Sequence, residues 1–373
     1  MKKSNFIPVS QPIFLGNEKK YLINCIDTGW ISSLGKYISV FEKKFSNYCG
    51  VKYGVAVANG TVALHLLLKT LDINKNDEVI IPDLTFIATA NAVSYTGAKP
   101  VMIDSDMDSW NINVDLIERY ITPKTKAIIA VHLYGQPCNM KKILYIARKY
   151  NLLLIEDCAE AHGAEFDNKK IGSFGVGGCF SFYGNKVITS GEGGMIVTNN
   201  KKIFEKLLFL RDHAMSTKKR YYHSEIGFNY RMTNLQAAVG LAQLEKIDKI
   251  LNLKNEIEKE YIENLADIGN IKFQKIFYDR KKICWLFSAL VNENKTKNRN
   301  GLINHLLKNN IDSRPFFIPM TNLPPYYCKR KNSNALFLSK KGINLPSSIN
   351  ICESQIKYIC KKIKNYFFVK SFY

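Results

Sequence analysis

The chain is short of acid. Against 53 lysines and arginines it carries 32 aspartates and glutamates, a formal charge of +21. Such a balance favours anionic partners: nucleic acid, an acidic membrane surface or a phosphorylated small molecule. Much of the excess is lysine scattered among Asn and Ile, as at Lys281-Lys282, Lys340-Lys341 and Lys361-Lys362, which is the pattern of a solvated surface. No two of the nine cysteines stand at C-x-x-C spacing. Neither a zinc site nor a disulfide framework is indicated, and the odd count suits a reducing cytosol. No run approaches the roughly 18 apolar residues of a membrane span. The opening MKKSNFIPVSQPIF lacks the continuous apolar segment of an export signal, so a soluble cytoplasmic protein without membrane contact is expected. Internal repeats at periods of about 20–50 residues are missing. So are a helix-turn-helix, a zinc finger or an aromatic-interleaved basic patch, which leaves a nucleic-acid-binding regulator, the reading charge alone would allow, without support.

What is present is a large core and a regular alternation. The 373 residues, 46% hydrophobic and 12% aromatic, exceed the usual domain of about 100–200 residues and predict two domains. From Tyr53 to Asn199 the short runs YGVAVA, EVIIP, KPVMID, KAIIAV, LLLIE, CFSFY and GMIVT read as strands. Between them, TVALHLLLKTL, FIATANAVSYT and MKKILYIARKYN have the three- and four-residue spacing of helices that cover a sheet. After Arg231 the pattern predicts one long helix over NLQAAVGLAQLEKIDKILNLKNEIEKEYIENL. A smaller α+β segment follows, with WLFSALV as an apolar run and helices at LINHLLKNN and ESQIKYICKKIKNYF.

Three stretches carry chemistry. In ANGTVALHL, Gly60 is read as a tight turn and Thr61 as the opening of a helix, whose free N–H groups and dipole suit a phosphate; an ordinary capped helix is the competing reading. In LLLIEDCAEAHGA, a buried strand is expected to deliver Glu156 and Asp157 into the crevice where open α/β sheets bind ligands. A carboxylate there needs a cation or a protonated heterocycle as its partner. Metal ligation is disfavoured, because His162 stands five residues beyond Asp157, at no standard ligand spacing. In GCFSFYGNKVITSGEGGMIVTNN, Lys186 lies in a turn between two apolar strands, and an enclosed lysine can have a lowered pKa and act as a Schiff-base nucleophile. The Gly run lacks the G-x-G-x-x-G spacing of a dinucleotide site.

A phosphate cradle, an acid at a strand end and an enclosed lysine are together what pyridoxal phosphate requires. Over nearly its whole length the chain resembles the DegT/DnrJ/EryC/StrS family of nucleotide-sugar aminotransferases. The resembling stretches are GWISSLGKYISVFEKKF, ANGTVALHL, VHLYGQPCNM, IEDCAEAHGA, FSFYGNKVITSGEGGM, NYRMTNLQAAVGLAQLE and SRPFFIPM. The resemblance implies an α/β fold of the pyridoxal-phosphate-dependent transferase type I, aspartate aminotransferase-like. A large, mostly parallel seven-stranded sheet domain would span residues 1–250 and a smaller α+β domain residues 251–373.

It also implies roles. Lys186 would form the imine with pyridoxal 5'-phosphate and relay the proton. Asp157 would keep the ring nitrogen protonated, and Phe86 would stack on the ring. Gly60, Thr61 and Ser181, with Asn229 of the partner subunit, would hold the phosphate, which implies a homodimer with shared active sites. Glu160 stands near the ring hydroxyl, where many relatives carry Gln. Trp30, Ser32, Ser33, His132, Tyr134, Arg314, Phe316 and Phe317 match positions that line the sugar-nucleotide cleft. Lysine at 186 separates the chain from sibling dehydratases, where histidine replaces it, and implies transamination from L-glutamate, with 2-oxoglutarate leaving first. EDCAEA, SFYGNK, ITSGEGG and SRPFF most resemble family members that aminate GDP-4-keto-6-deoxymannose at C4 to GDP-perosamine for a surface glycan, and the resemblance implies that reaction, with dTDP-4-keto-6-deoxyglucose, giving the viosamine nucleotide, as the rival acceptor.

Overall fold

Each of the seven apolar runs forms a strand. The computed structural model describes residues 6–292, 297–329 and 332–368, and in it β1 (Tyr53–Val57), β2 (Glu78–Pro82), β3 (Lys99–Ile103), β4 (Thr125–Val131), β5 (Leu153–Asp157), β6 (Gly177–Ser181) and β7 (Gly194–Thr198) pair into one sheet. Their order is β1-β7-β6-β5-β4-β2-β3. The five strands from β6 to β3 are parallel, while β7 runs antiparallel to both β6 and β1. Strands buried on both faces read as continuous apolar runs, and helices cover each side.

On one face α3 (Gly60–Thr70), α4 (Ala88–Tyr95) and α6 (Lys201–Arg211) pack Leu64, Leu67, Ala90 and Leu207 against Val57, Ile155, Cys179 and Ile196. On the other, α5 (Met140–Lys149) covers Ile128 and Leu154. There also α1 (Glu18–Asp27), α2 (Lys36–Tyr48) and α7 (Asn234–Leu244) set Cys25, Phe41, Phe45 and Leu241 in one core with Phe180, Phe182 and Val197.

The long helix of the sequence pattern is two. After α7 the chain leaves helical geometry at Lys246 (φ −118°, ψ 9°) and resumes as α8, Ile247–Leu265. The break falls where the Glu245 carboxylate accepts hydrogen bonds from Asn17 Nδ2 (3.0 Å), Tyr21 Oη (3.0 Å) and Lys44 Nζ (3.1 Å). Tertiary bonds to the N-terminal segment thus outweigh the local preference for one rod.

Beyond α8, strands β8 (Ile271–Phe273), β9 (Phe287–Val291), β10 (Arg314–Pro315) and β11 (Gly342–Leu345) form an antiparallel sheet in the order β8-β9-β11-β10. It packs with α8, α9 (Arg299–Lys308) and α10 (Glu353–Phe368) around Tyr261, Phe287, Leu302, Ile343 and Ile359. All nine cysteines are free thiols and seven are buried, where they pack as small apolar side chains. Among the described residues no helix is long and apolar enough to cross a membrane.

Candidate active site

The carboxyl ends of β5 and β6, the start of α3 and the turn after β6 surround one cavity of about 540 Å³, within the usual size of small-molecule sites. Alternation along β5 decides which acid enters it. Successive side chains of a strand point to opposite faces. Asp157 therefore shares the face of Ile155 and lines the cavity, while Glu156 shares that of Leu154 and points away. The expectation that both enter the crevice is corrected here. Glu156 is fully buried, accepting from the N–H groups of Gly172 (2.7 Å), Phe174 (2.7 Å) and Gly175 (2.8 Å). It ties down a loop.

Asp157 is held by two donors: Thr89 Oγ1 to Oδ2 at 2.8 Å and the Ala159 N–H to Oδ1 at 3.2 Å. Burial pushes its pKa up, against these bonds and the neighbouring Lys186 charge, which pull it down. An acid in this state gains from a cationic partner. Lys186, in the turn closed by its own N–H to Tyr183 O (2.9 Å), is depressed by burial and raised only in part by Glu160 and Asp157. Its Nζ lies 3.9 Å from Glu160 Oε1 and 4.1 Å from the centre of the Trp285 ring. Burial raises Glu160 to about 7, against the attraction of Lys186 and the Tyr134 N–H, which donates to Oε2 at 2.9 Å.

At the opposite corner, Asn59 caps α3 by accepting from the Val62 N–H at 3.0 Å. Gly60 is the first helical residue rather than a turn, and what requires glycine is proximity: a Cβ there would stand 2.8 Å from Ser181 Cβ. The bare backbone leaves the helix N-terminus and the Ser181 hydroxyl together on the cavity wall, a combination suited to a phosphate. Phe86 and Phe317 face each other across the wall, ring centres 5.7 Å apart. A nucleophilic amine, an acid facing it and an anion cradle around one cavity fit a phosphorylated pyridine aldehyde.

Several expected substrate residues lie elsewhere. His132, Tyr134 and Phe316 are closed off, at most 2% exposed, so their placement in an open cleft is corrected. The Cys138 N–H donates to His132 Nδ1 (3.0 Å), which leaves the ring proton on Nε2 facing Glu156 Oε2 at 3.3 Å. Tyr134 adopts φ +52°, and that left-handed bend lets its N–H reach Glu160. Phe316 packs edge-on against Trp110. The HLYG stretch therefore serves to orient Glu160. Arg314 is exposed and paired with Asp312 at 3.0 Å. Trp30, Ser32, Ser33 and Asn229 lie outside the cavity lining of their own chain, and Asn229 accepts from Arg231 Nε at 3.0 Å. Two participants escaped the sequence reading, Thr89 and Trp285. Only the opening tryptophan of WLFSALV, large and beside a strand, hinted at the second.

The DegT/DnrJ/EryC1/StrS aminotransferase family matches residues 14–364. A GDP-perosamine synthase of Escherichia coli O157:H7 is 45% identical over 363 residues, 97% of this chain and 99% of that protein. One from Vibrio cholerae is 45% identical over 364 residues, again 97% and 99%. Among solved structures, DesV of S. venezuelae superposes with a TM-score of 0.89 at 30% identity, covering 95% of each chain.

Proposed function

The chain belongs to the DegT/DnrJ/EryC1/StrS aminotransferase family, and we propose that it moves the amino group of L-glutamate to C4 of GDP-4-keto-6-deoxymannose, giving GDP-perosamine. One observation carries the reaction type: Lys186 is the amine that reaches into the cavity opposite Asp157 and Glu160. The near-full-length identity to two GDP-perosamine synthases supports the acceptor.

Pyridoxal phosphate, which Gly60, Thr61 and Ser181 would hold, would supply an aldehyde that condenses with amines and a ring that accepts electrons. Lys186, whose pKa is lowered by burial, gives up its proton more readily than an exposed lysine, as a nucleophile and proton carrier must. Asp157, fixed by Thr89 and Ala159, would hold a proton on the ring nitrogen. Glu160 can stay protonated near pH 7 and so can share a hydrogen bond with the ring hydroxyl. Phe86 would present an apolar face to the ring and, with Phe317, would shield it from water.

The active form in this reading is a homodimer whose Asn229 completes the partner's phosphate site. The exposed Trp30, Leu34, Tyr221 and Ile226 support it, being apolar surface that a second copy would bury.

The test supplies L-glutamate with either GDP-4-keto-6-deoxymannose or dTDP-4-keto-6-deoxyglucose and follows amino-sugar and 2-oxoglutarate formation. Turnover with the GDP sugar, lost in Lys186→Ala, is expected. Turnover with the dTDP sugar alone would move the assignment to the viosamine nucleotide.

A further inference from the structure

Helix α8 buries a stripe of Ile247, Ile250, Leu251, Ile257 and Tyr261, and in its middle, where the spacing calls for an apolar side chain, stands Lys254, only 3% exposed. A buried ammonium is costly, and among the described residues no carboxylate offsets this one: burial brings its pKa down to about 8, opposed by Cys284. Its Nζ donates instead to two main-chain carbonyls, those of Trp285 and Ser347, each at 2.7 Å. Both lie just outside the small sheet, Trp285 two residues before β9 and Ser347 two residues after β11. Their carbonyls have left the ladder, and a buried carbonyl without a donor is costly.

From the point Lys254 fixes, the Trp285 side chain reaches the other domain. Its Nε1–H donates to Asn185 O at 2.7 Å, and its ring sits 4.1 Å from Lys186 Nζ. The face of an indole attracts a cation. Lys254, Trp285 and the turn at 185–186 thus form one chain of contacts from the connecting helix to the reactive amine.

We propose that Lys254 is a positioning residue for Lys186, acting through Trp285. It clamps the backbone that aims the indole at the amine, so that the small domain sets the charge state and position of the nucleophile. The inference rests on Lys186 being the reactive amine, but it concerns the protein itself and is measured without turnover.

The full chain, freed of bound carbonyl compounds with hydroxylamine, is labelled with 5-fluorotryptophan. Fluorine NMR then reads its three indoles. In parallel, the pH profile of Lys186 modification by an amine reagent is followed by mass spectrometry. Glu160 and Asp157, which face the same amine, and the nearby His162 stay in place throughout. Lys254→Met is expected to shift or broaden the Trp285 line while leaving those of Trp30 and Trp110 unmoved. It should also speed Lys186 modification about threefold to fivefold on the acid side of its midpoint, the change expected when a cation–π contact is lost. Trp285→Leu, which keeps its carbonyl on Lys254, should give the same acceleration, and the double variant should give no more. Lys254→Gln, too short to serve both carbonyls, is measured beside it in case the methionine variant does not fold. An unmoved Trp285 line, an unchanged Lys186 profile in either Lys254 variant, or multiplying effects in the double variant would overturn the proposal. A protein that responds as expected yet turns over no sugar would instead count against the proposed function.

Discussion

Glu160 offers a stability test that needs no substrate. Its carboxyl is 4% exposed and burial raises it from 4.5 to about 7. The folded chain therefore holds this proton more tightly than the unfolded chain. The stabilisation is fully present below pH 4.5 and is lost as pH rises through 7. At about 1.4 kcal/mol for each tenfold difference, the loss amounts to about 3 kcal/mol by pH 8. Glu160→Gln keeps an oxygen for the Tyr134 N–H and carries no titrating proton. Its stability relative to the parent should thus grow with pH, from near zero at pH 4.5 to about 3 kcal/mol at pH 8. Urea unfolding of the cofactor-free protein at pH 4.5, 6 and 8, with equal m-values, measures the gap. Lys186 opposes the gain, because glutamine no longer attracts its ammonium. In a Lys186→Met background that opposition vanishes and the gap should be at least as large. A gap independent of pH there, or one that shrinks as pH rises, would refute the account of Glu160 as an acid held neutral by burial.

Other substitutions probe the remaining walls. Asp157→Ala should lower turnover by about 10²–10³, the usual cost of one preorganised electrostatic group, and should cost far less in retained cofactor, read by absorbance after gel filtration. Thr89→Val removes a donor that pulls Asp157 down, so the acid limb of the pH–rate profile should move to higher pH; an unmoved limb would sever the link. Gly60→Ala brings a Cβ to 2.8 Å from Ser181 Cβ, and a loss of about 1–3 kcal/mol in thermal unfolding is expected, together with loss of bound phosphate ester. Full retention of both would show that this corner is not the anion cradle.

How far the sequence could be read depends on the range of the physics involved. Strands and crossover helices were legible because their apolar spacing is local, and the acid and lysine stood at the ends of such runs. Alternation on β5 already held the answer that Glu156 and Asp157 face opposite ways, since it depends only on neighbouring residues. The break at Lys246 was not legible, because it is made by Asn17, Tyr21 and Lys44 from distant parts of the chain.

The sequence by itself determined the elements of the sheet, the order of its strands along the chain, and the amine and acid that meet at its carboxyl edge. Tertiary structure alone decided what surrounds them. It closed His132, Tyr134 and Phe316 off from the cavity, set Gly60 against Ser181 across 121 positions, and laid Trp285 on Lys186 with Lys254 behind it. The reason is physical: periodicity reports which face of an element is apolar, whereas burial of a charge or closure of a cavity depends on which other element comes to cover that face.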